Sequence, residues 1–177
     1  TLQRLGRDGW LEIRHGKPTR VRNYWQEGSL GVLGAIAHRS QNLPSDFIAN
    51  LLYVRLLLAP AYTRLAIEHQ PEDIITLLET YNQLDDRVQP IAEFDWQLHH
   101  QLTIASGNPI FTLILNGFAS LYVPMACRYF DTPAARASSK AFYAGLLAAA
   151  RAGDPNAAES ITRQTMQESL ALWQQVG

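Results

Sequence analysis

The stretch TPAARASSKAFYAGLLAAARAGDP, residues 132–155, decides the fold. It opens on Thr132-Pro133 and ends on Asp154-Pro155. Each pair couples a capping side chain to a proline at the first helical position. A proline there gives up an N–H that has no intrahelical acceptor, and its fixed φ suits the helix. The same punctuation recurs upstream at Asn108-Pro109. Pro71 and Pro90 precede the acidic or apolar first turns Glu72-Asp73 and Ile91-Ala92-Glu93, and Ser45 can cap a further helix. Between these marks apolar residues return every three or four positions, as in Ile74, Leu77, Leu78 and Tyr81, or Ile161, Thr165, Ser169, Leu172 and Trp173. The pattern predicts seven helices over Ser29–Gln41, Ser45–Gln70, Pro71–Arg87, Pro90–Ser106, Asn108–Phe130, Thr132–Ala152 and Asp154–Val176. Pro60 and Pro124 fall inside two of them, where a kink is expected. No convincing strand follows Ser29, so residues 29–177 read as an all-α bundle.

With 47% hydrophobic and 18% charged residues among 177, the chain can bury a sizeable core, which excludes a disordered or collagen-like class. The single cysteine, Cys127, excludes a disulfide framework and a Cys-based zinc site. Apolar runs such as Leu56–Ala61 are far shorter than the ~20 residues of a membrane span. Nothing at the N-terminus reads as a signal peptide. A soluble, cytoplasmic protein that does not enter a membrane is the expectation.

The first 25 residues differ from the rest. They carry six basic residues (Arg4, Arg7, Arg14, Lys17, Arg20, Arg22) against Asp8 and Glu12, a net +4. The whole chain is −1, which leaves −5 on residues 26–177. A basic head on an acidic body suits contact with a polyanion. Leu2 to Arg7 read as a final helical turn, with Gly9 at its C′ position. Residues 10–14 and 19–23 alternate as short strands around the turn His15-Gly16-Lys17-Pro18. Lys17, Arg20 and Arg22 can neutralise phosphates, and a Gly-tipped hairpin can approach a groove closely. Residues 1–23 thus form a head, 24–28 a linker and 29–177 the helical body.

Within the body, Arg55 lies in the apolar run Leu51-Leu52-Tyr53-Val54-Arg55-Leu56-Leu57-Leu58. A guanidinium there needs a partner, either an internal carboxylate such as Asp95 or an anionic ligand. Tyr122, Tyr129, Tyr143, Trp173 and His99 share the packed faces and suit either a core or a small-molecule site between helices.

Two sets of residues carry a family resemblance. Leu2-Gln3-Arg4-Leu5-Gly6-Arg7-Asp8-Gly9-Trp10-Leu11 and Arg14-His15-Gly16-Lys17-Pro18-Thr19 resemble the end of a GntR-type winged helix. In the body, Asn50-Leu51-Leu52, Val54-Arg55, Ala105-Ser106-Gly107-Asn108-Pro109-Ile110, Leu113-Ile114-Leu115-Asn116-Gly117, Arg128-Tyr129-Phe130 and Glu168-Ser169 with Trp173 resemble the acyl-CoA-responsive FadR branch of that family. The resemblance spans essentially the whole chain. It implies that most of the winged helix, with its recognition helix, belongs upstream of Thr1.

What the resemblance implies can be set out by residue. His15, Gly16, Lys17 and Thr19 are wing contacts to double-stranded operator DNA, and Arg4 and Arg7 face phosphates. A homodimer reads a palindromic site. Leu52, Arg55, His99, Tyr129, Thr165, Ser169 and Trp173 line or border the site for long-chain acyl-CoA, the effector that releases the protein from DNA. As aligned with the branch, His99 stands for a phenylalanine and Thr165 for a tyrosine, which makes the site smaller or more polar. Burying 12–14 methylenes at ~0.8 kcal/mol each supplies ~10 kcal/mol gross, enough after ordering costs for micromolar or tighter binding. Arg55, Arg64 and Arg128 are candidates for the CoA phosphates. The branch represses fatty acid degradation genes and activates unsaturated fatty acid synthesis genes.

Two rivals stand beside this reading. Many GntR-type sensors hold a metal with one Asp and three His and respond to a carboxylate metabolite. Asp95 and His99, at i and i+4, match half of that set. The remaining positions fall at Tyr143 and near Thr165, so no metal is expected. An acyl-thioester enzyme built from Ser169, Cys127, His99 and Asp95 has no triad spacing and no nucleophile elbow, so no catalytic residue is expected.

Overall fold

The structure, a computed structural model, describes residues 2–7, 9–14, 16–30, 32–33 and 46–176. In the head, α1 (Leu2–Arg7) runs into a two-stranded antiparallel hairpin, β1 (Leu11–Glu12) and β2 (Arg20–Val21). Leu11 pairs with Val21 and Glu12 with Arg20. Gly9 takes φ +90°, and the Trp10 amide donates to the Leu5 carbonyl at 2.9 Å, the 6→1 closure that ends a helix on a left-handed residue. The ladder is shorter than the alternation of residues 10–14 and 19–23 suggests. Among the described residues little core lies beneath it: Val21 is 75% exposed and Ile13 51%, so only the two pairs nearest α1 are held. Residues 24–28, read as a linker, hold a one-turn helix, α2 (Tyr24–Glu27). The helix expected over Ser29–Gln41 and the Ser45 cap fall mostly outside the described residues, as does His15.

The body consists of α3 (Phe47–His69), α4 (Pro71–Thr80), α5 (Val88–Ala105), α6 (Pro109–Gly117), α7 (Ala119–Phe130), α8 (Pro133–Ala152) and α9 (Pro155–Val176). The α3 helix is apolar nearly all round and sits centrally, with its most extensive contact along α9 and further contact with α5. Ala59, Ala66, Ile67, Ile74, Leu98, Leu102, Phe142, Leu146 and Met166 close the main core.

Three boundaries depart from the periodicity. The α4 helix stops at Thr80 and tightens into a 3-10 turn, Tyr81–Gln83, before Asp85 and Asp86, which serve as surface partners of Arg87 and Lys140 rather than helix interior. The α5 helix begins two residues before Pro90, which is tolerated in a first turn. The segment 108–130 breaks at Gly117-Phe118 into α6 and α7, bent by 69°. There the Phe118 amide closes on Leu115 at 2.9 Å, and glycine is a weak helix former.

No single helix among the described residues is long and apolar enough to cross a membrane.

The caps read at Asn108, Thr132 and Asp154 are present. Thr132 Oγ1 accepts from the Ala135 amide at 3.3 Å, Asn108 Oδ1 from Ile110 at 3.1 Å, and Asp154 Oδ1 from Asn156 and Ala157 at 3.0 and 2.9 Å. Thr132→Ala is expected to cost about 1 kcal/mol of stability in urea denaturation, because the Ala135 amide loses its acceptor.

Candidate functional site

Two parts of the molecule bear on function, the hairpin and a cavity inside the body. At the hairpin tip Gly16 has φ +70° with open space around it, and Lys17 and Thr19 are exposed. Arg20 and Arg22 are less free than the charge count suggested. Arg20 lies 3.3 Å from Glu12 and 3.1 Å from Glu27, and Arg22 lies 3.8 Å from Glu27. Beside Arg14, Arg20 and Arg22, the Glu12 carboxyl is held below its usual range, its bond to Arg14 contributing most. The side chains of Arg4 and Arg7 lie outside the described residues.

The cavity, of about 100 Å³, lies between α3, α6 and α7. Its wall is apolar: Leu52, Leu58, Phe111, Ile114, Phe118 and Met125 are typical. Its floor is polar and is made by Arg55, Tyr62 and Tyr122. Beneath that floor is a buried network centred on Asp95. Arg55 Nη2 donates to Asp95 Oδ2 at 2.9 Å and Oδ1 at 3.2 Å. Tyr122 donates to Oδ2 at 2.7 Å and Tyr143 to Oδ1 at 2.9 Å. His99 stands one helical turn after Asp95, with Nε2 against Arg55 Nη2 and Nδ1 2.7 Å from the Tyr62 hydroxyl. A guanidinium only donates, so His99 Nε2 accepts and the proton is assigned to Nδ1, which gives it to Tyr62.

The charges follow from this arrangement. Burial opposes ionisation of Asp95, yet Arg55, the nearby imidazole and two tyrosine hydroxyls outweigh it and hold the carboxyl below its ordinary value. Burial likewise opposes the Arg55 cation, and Asp95 more than restores it. His99 is pushed down to about 3 by burial and by Arg55, so the imidazole is neutral. The floor and the network beneath it therefore carry one cation, one anion and no net charge. Of the two partners open to Arg55 on sequence, the internal carboxylate is present. The Arg55 Nε remains buried without a hydrogen-bond partner among the described residues.

The residues assigned to the site by resemblance divide by position. Leu52, Arg55 and Tyr129 line the cavity. His99 does not line it, being fully buried behind Arg55. Thr165 and Ser169 sit behind Tyr129: the Tyr129 hydroxyl donates to Ser169 Oγ at 3.1 Å, and Ser169 donates to the Thr165 carbonyl at 2.9 Å. Trp173 packs beside Arg128, Thr132, Leu172 and Tyr129 around a gap too small for a water molecule. Of the three cations considered for phosphates, Arg55 is committed to Asp95, Arg64 lies 4.0 Å from Glu159, and Arg128 is exposed on α7. Tyr62 escaped sequence reading, although it lies seven residues after Arg55, two turns along the same face.

Asp95 and His99 do not fit a metal. Their lone pairs point at a guanidinium and two hydroxyl protons, and a second cation there would meet Arg55. Tyr143, at one of the positions where a histidine was sought, spends its hydroxyl on Asp95. Neither candidate nucleophile is free: Ser169 is bonded to a carbonyl and Cys127 donates to Gln89 at 3.1 Å.

A profile of the FadR C-terminal domain matches residues 22–177. The chain belongs to that family. The fatty acid metabolism regulator protein of Shewanella pealeana is 45% identical over 142 residues, covering 80% of this chain and 59% of that protein. Its counterpart from Pectobacterium carotovorum is 39% identical over 173 residues, covering 97% of this chain and 72% of the relative. The chain therefore spans between about six- and seven-tenths of the length of these relatives. Among solved structures, Streptococcus agalactiae GntR superposes with a TM-score of 0.58 at 22% identity, over 96% of this chain and 78% of that one. That likeness extends the shared fold from the FadR C-terminal domain into the hairpin.

Proposed function

We propose that this chain is the sensing part, with the wing, of a cytoplasmic homodimeric DNA-binding regulator of fatty acid metabolism, and that long-chain acyl-CoA is its effector. The observation that carries the reading is the apolar cavity over a floor with no net charge. Such a floor suits a neutral thioester carbonyl, for which the Arg55 edge supplies a donor. A free carboxylate would find its attraction to Arg55 cancelled by Asp95. The acyl chain occupies the cavity, and the nucleotide end lies outside it, with the exposed Arg128 as a cation for its phosphates. No metal and no catalytic step are required. At the other end, Gly16, Lys17 and Thr19 meet a minor groove in this reading, with His15, Arg4 and Arg7 completing the contact to operator DNA. Occupied by acyl-CoA, the protein lets go of DNA, which relieves repression of degradation genes and ends activation of unsaturated fatty acid synthesis genes. By linkage, operator DNA weakens acyl-CoA binding by the same factor.

Calorimetric titration tests the effector. Oleoyl-CoA is expected to bind with micromolar or lower Kd, and oleate and free CoA at least ~10-fold more weakly. Ile114→Trp, which fills the cavity from α6, is expected to weaken oleoyl-CoA at least ~10-fold. Equal affinity for oleate, or no effect of the tryptophan, rejects the cavity as the acyl site. Arg55→Ala is a poor probe, because it strands Asp95 in the interior.

A further inference from the structure

The cavity and the DNA-facing head are joined by two runs of contact. The first is aromatic. Trp10, just before β1, has its ring centroid 4.8 Å from that of Tyr24; Tyr24 is 5.1 Å from Trp25, and Trp25 is 6.3 Å from Phe47. Phe47 is buried at the first turn of α3, in the cluster that contains Leu52, Leu121 and Met125 of the cavity wall. The second run is a socket. Leu30 follows α2, and its side chain lies over Gly117 at the end of α6. A Cβ added to Gly117 would stand 2.8 Å from Leu30 Cδ1 and 2.9 Å from its Cβ. No other side chain could occupy position 117 without displacing Leu30. Gly117 is also where α6 breaks from α7, and the next residue, Phe118, lines the cavity. Leu33 packs on the same cluster as Phe47 and Phe118.

The head end is fixed with equal closeness. A Cβ on Gly9 would lie 2.9 Å from the Gly28 Cα, so the turn that ends α1 rests directly on the backbone two residues before Leu30. Any swing of α6 against α7 that widens the cavity moves the floor of the socket, and Leu30 must follow or leave it. Packed side chains of this kind settle in discrete arrangements rather than deforming smoothly.

We propose that Leu30 seated on Gly117 is the joint through which the state of the cavity is passed to the wing. The identity of the ligand rests on the function proposed above; the joint itself does not.

Amide hydrogen exchange on the full chain tests both separately. The Val32 and Leu33 amides are bonded to the Ser29 and Leu30 carbonyls at 3.0 Å and report on the seat. Without ligand, Leu30→Ala is expected to speed exchange at least ~5-fold both in residues 28–33 and in residues 109–126, with residues 140–150 of α8 unchanged. Gly117→Ala, which forces Leu30 out while favouring helix, is expected to do the same in residues 28–33. Unchanged exchange of 109–126 in Leu30→Ala overturns the joint. With saturating oleoyl-CoA, wild type is expected to change in both segments and Leu30→Ala only in 109–126. A response in wild type confined to 109–126 also overturns the joint. If oleoyl-CoA alters neither segment, the acyl-CoA reading fails, and the ligand-free comparison still decides the joint.

Discussion

Asp95→Ala is expected to lower the unfolding free energy by about 3–5 kcal/mol, a drop of roughly 6–20 °C in Tm. The carboxylate is fully buried and receives hydrogen bonds from Arg55, Tyr122 and Tyr143. Removing it leaves the Arg55 cation in the interior with only the neutral His99 and the cavity before it, and frees two tyrosine hydroxyls. The cost therefore comes mainly from the partners left behind. A double variant separates the two contributions. In Arg55→Met with Asp95→Leu neither charge remains, and the pair is expected to cost at least ~2 kcal/mol less than the two single changes added together. Costs that simply add, measured by urea denaturation at pH 7, would show that Arg55 and Asp95 do not depend on each other.

That dependence was half legible in the sequence. An arginine amid seven apolar neighbours demands a partner, and Asp95 on the next long helix but one was a candidate before any geometry was known. The Asn108, Thr132 and Asp154 caps were legible for the same reason: capping is a local event whose chemistry is complete within four residues. What local pattern could not supply is the convergence of three tyrosines on Asp95 and His99. Tyr122 and Tyr143 meet Asp95 and Tyr62 meets His99, from three helices, and a tyrosine on an apolar face looks alike whether its hydroxyl ends in water, on an imidazole or on a carboxylate. The break at Gly117 was missed because residues 108–130 keep helical spacing across it. Only the seat for Leu30 gives that glycine its meaning. The Arg20 and Arg22 pairs were missed because net charge counts Glu27 with the body, while α2 turns it back toward the hairpin.

His99 makes the acid side of the stability curve a second test of the network. Its imidazole accepts from Arg55 at Nε2 and gives its one proton to Tyr62 at Nδ1, so a second proton would face a guanidinium in the interior. Burial and Arg55 together push it down to about 3, against about 6.5 in an unfolded chain. Between those values the unfolded state binds a proton that the folded state refuses. Stability therefore falls as pH falls through this window, by about 1 kcal/mol per pH unit from this residue. Asp95 acts in the same direction lower down, because its carboxyl is held below its ordinary value and the unfolded chain takes up a proton first. His99→Phe keeps the stacking on Phe142, whose ring lies 6.0 Å away and nearly parallel, but removes the titrating group. The variant is expected to start less stable at pH 7, having lost an acceptor for Arg55 and a donor to Tyr62. From pH 6 to pH 4.5 it is expected to lose about 2 kcal/mol less than the wild type. Urea denaturation at four pH values measures both curves, and curves that run parallel over that interval would mean that His99 takes up its proton in the folded state after all.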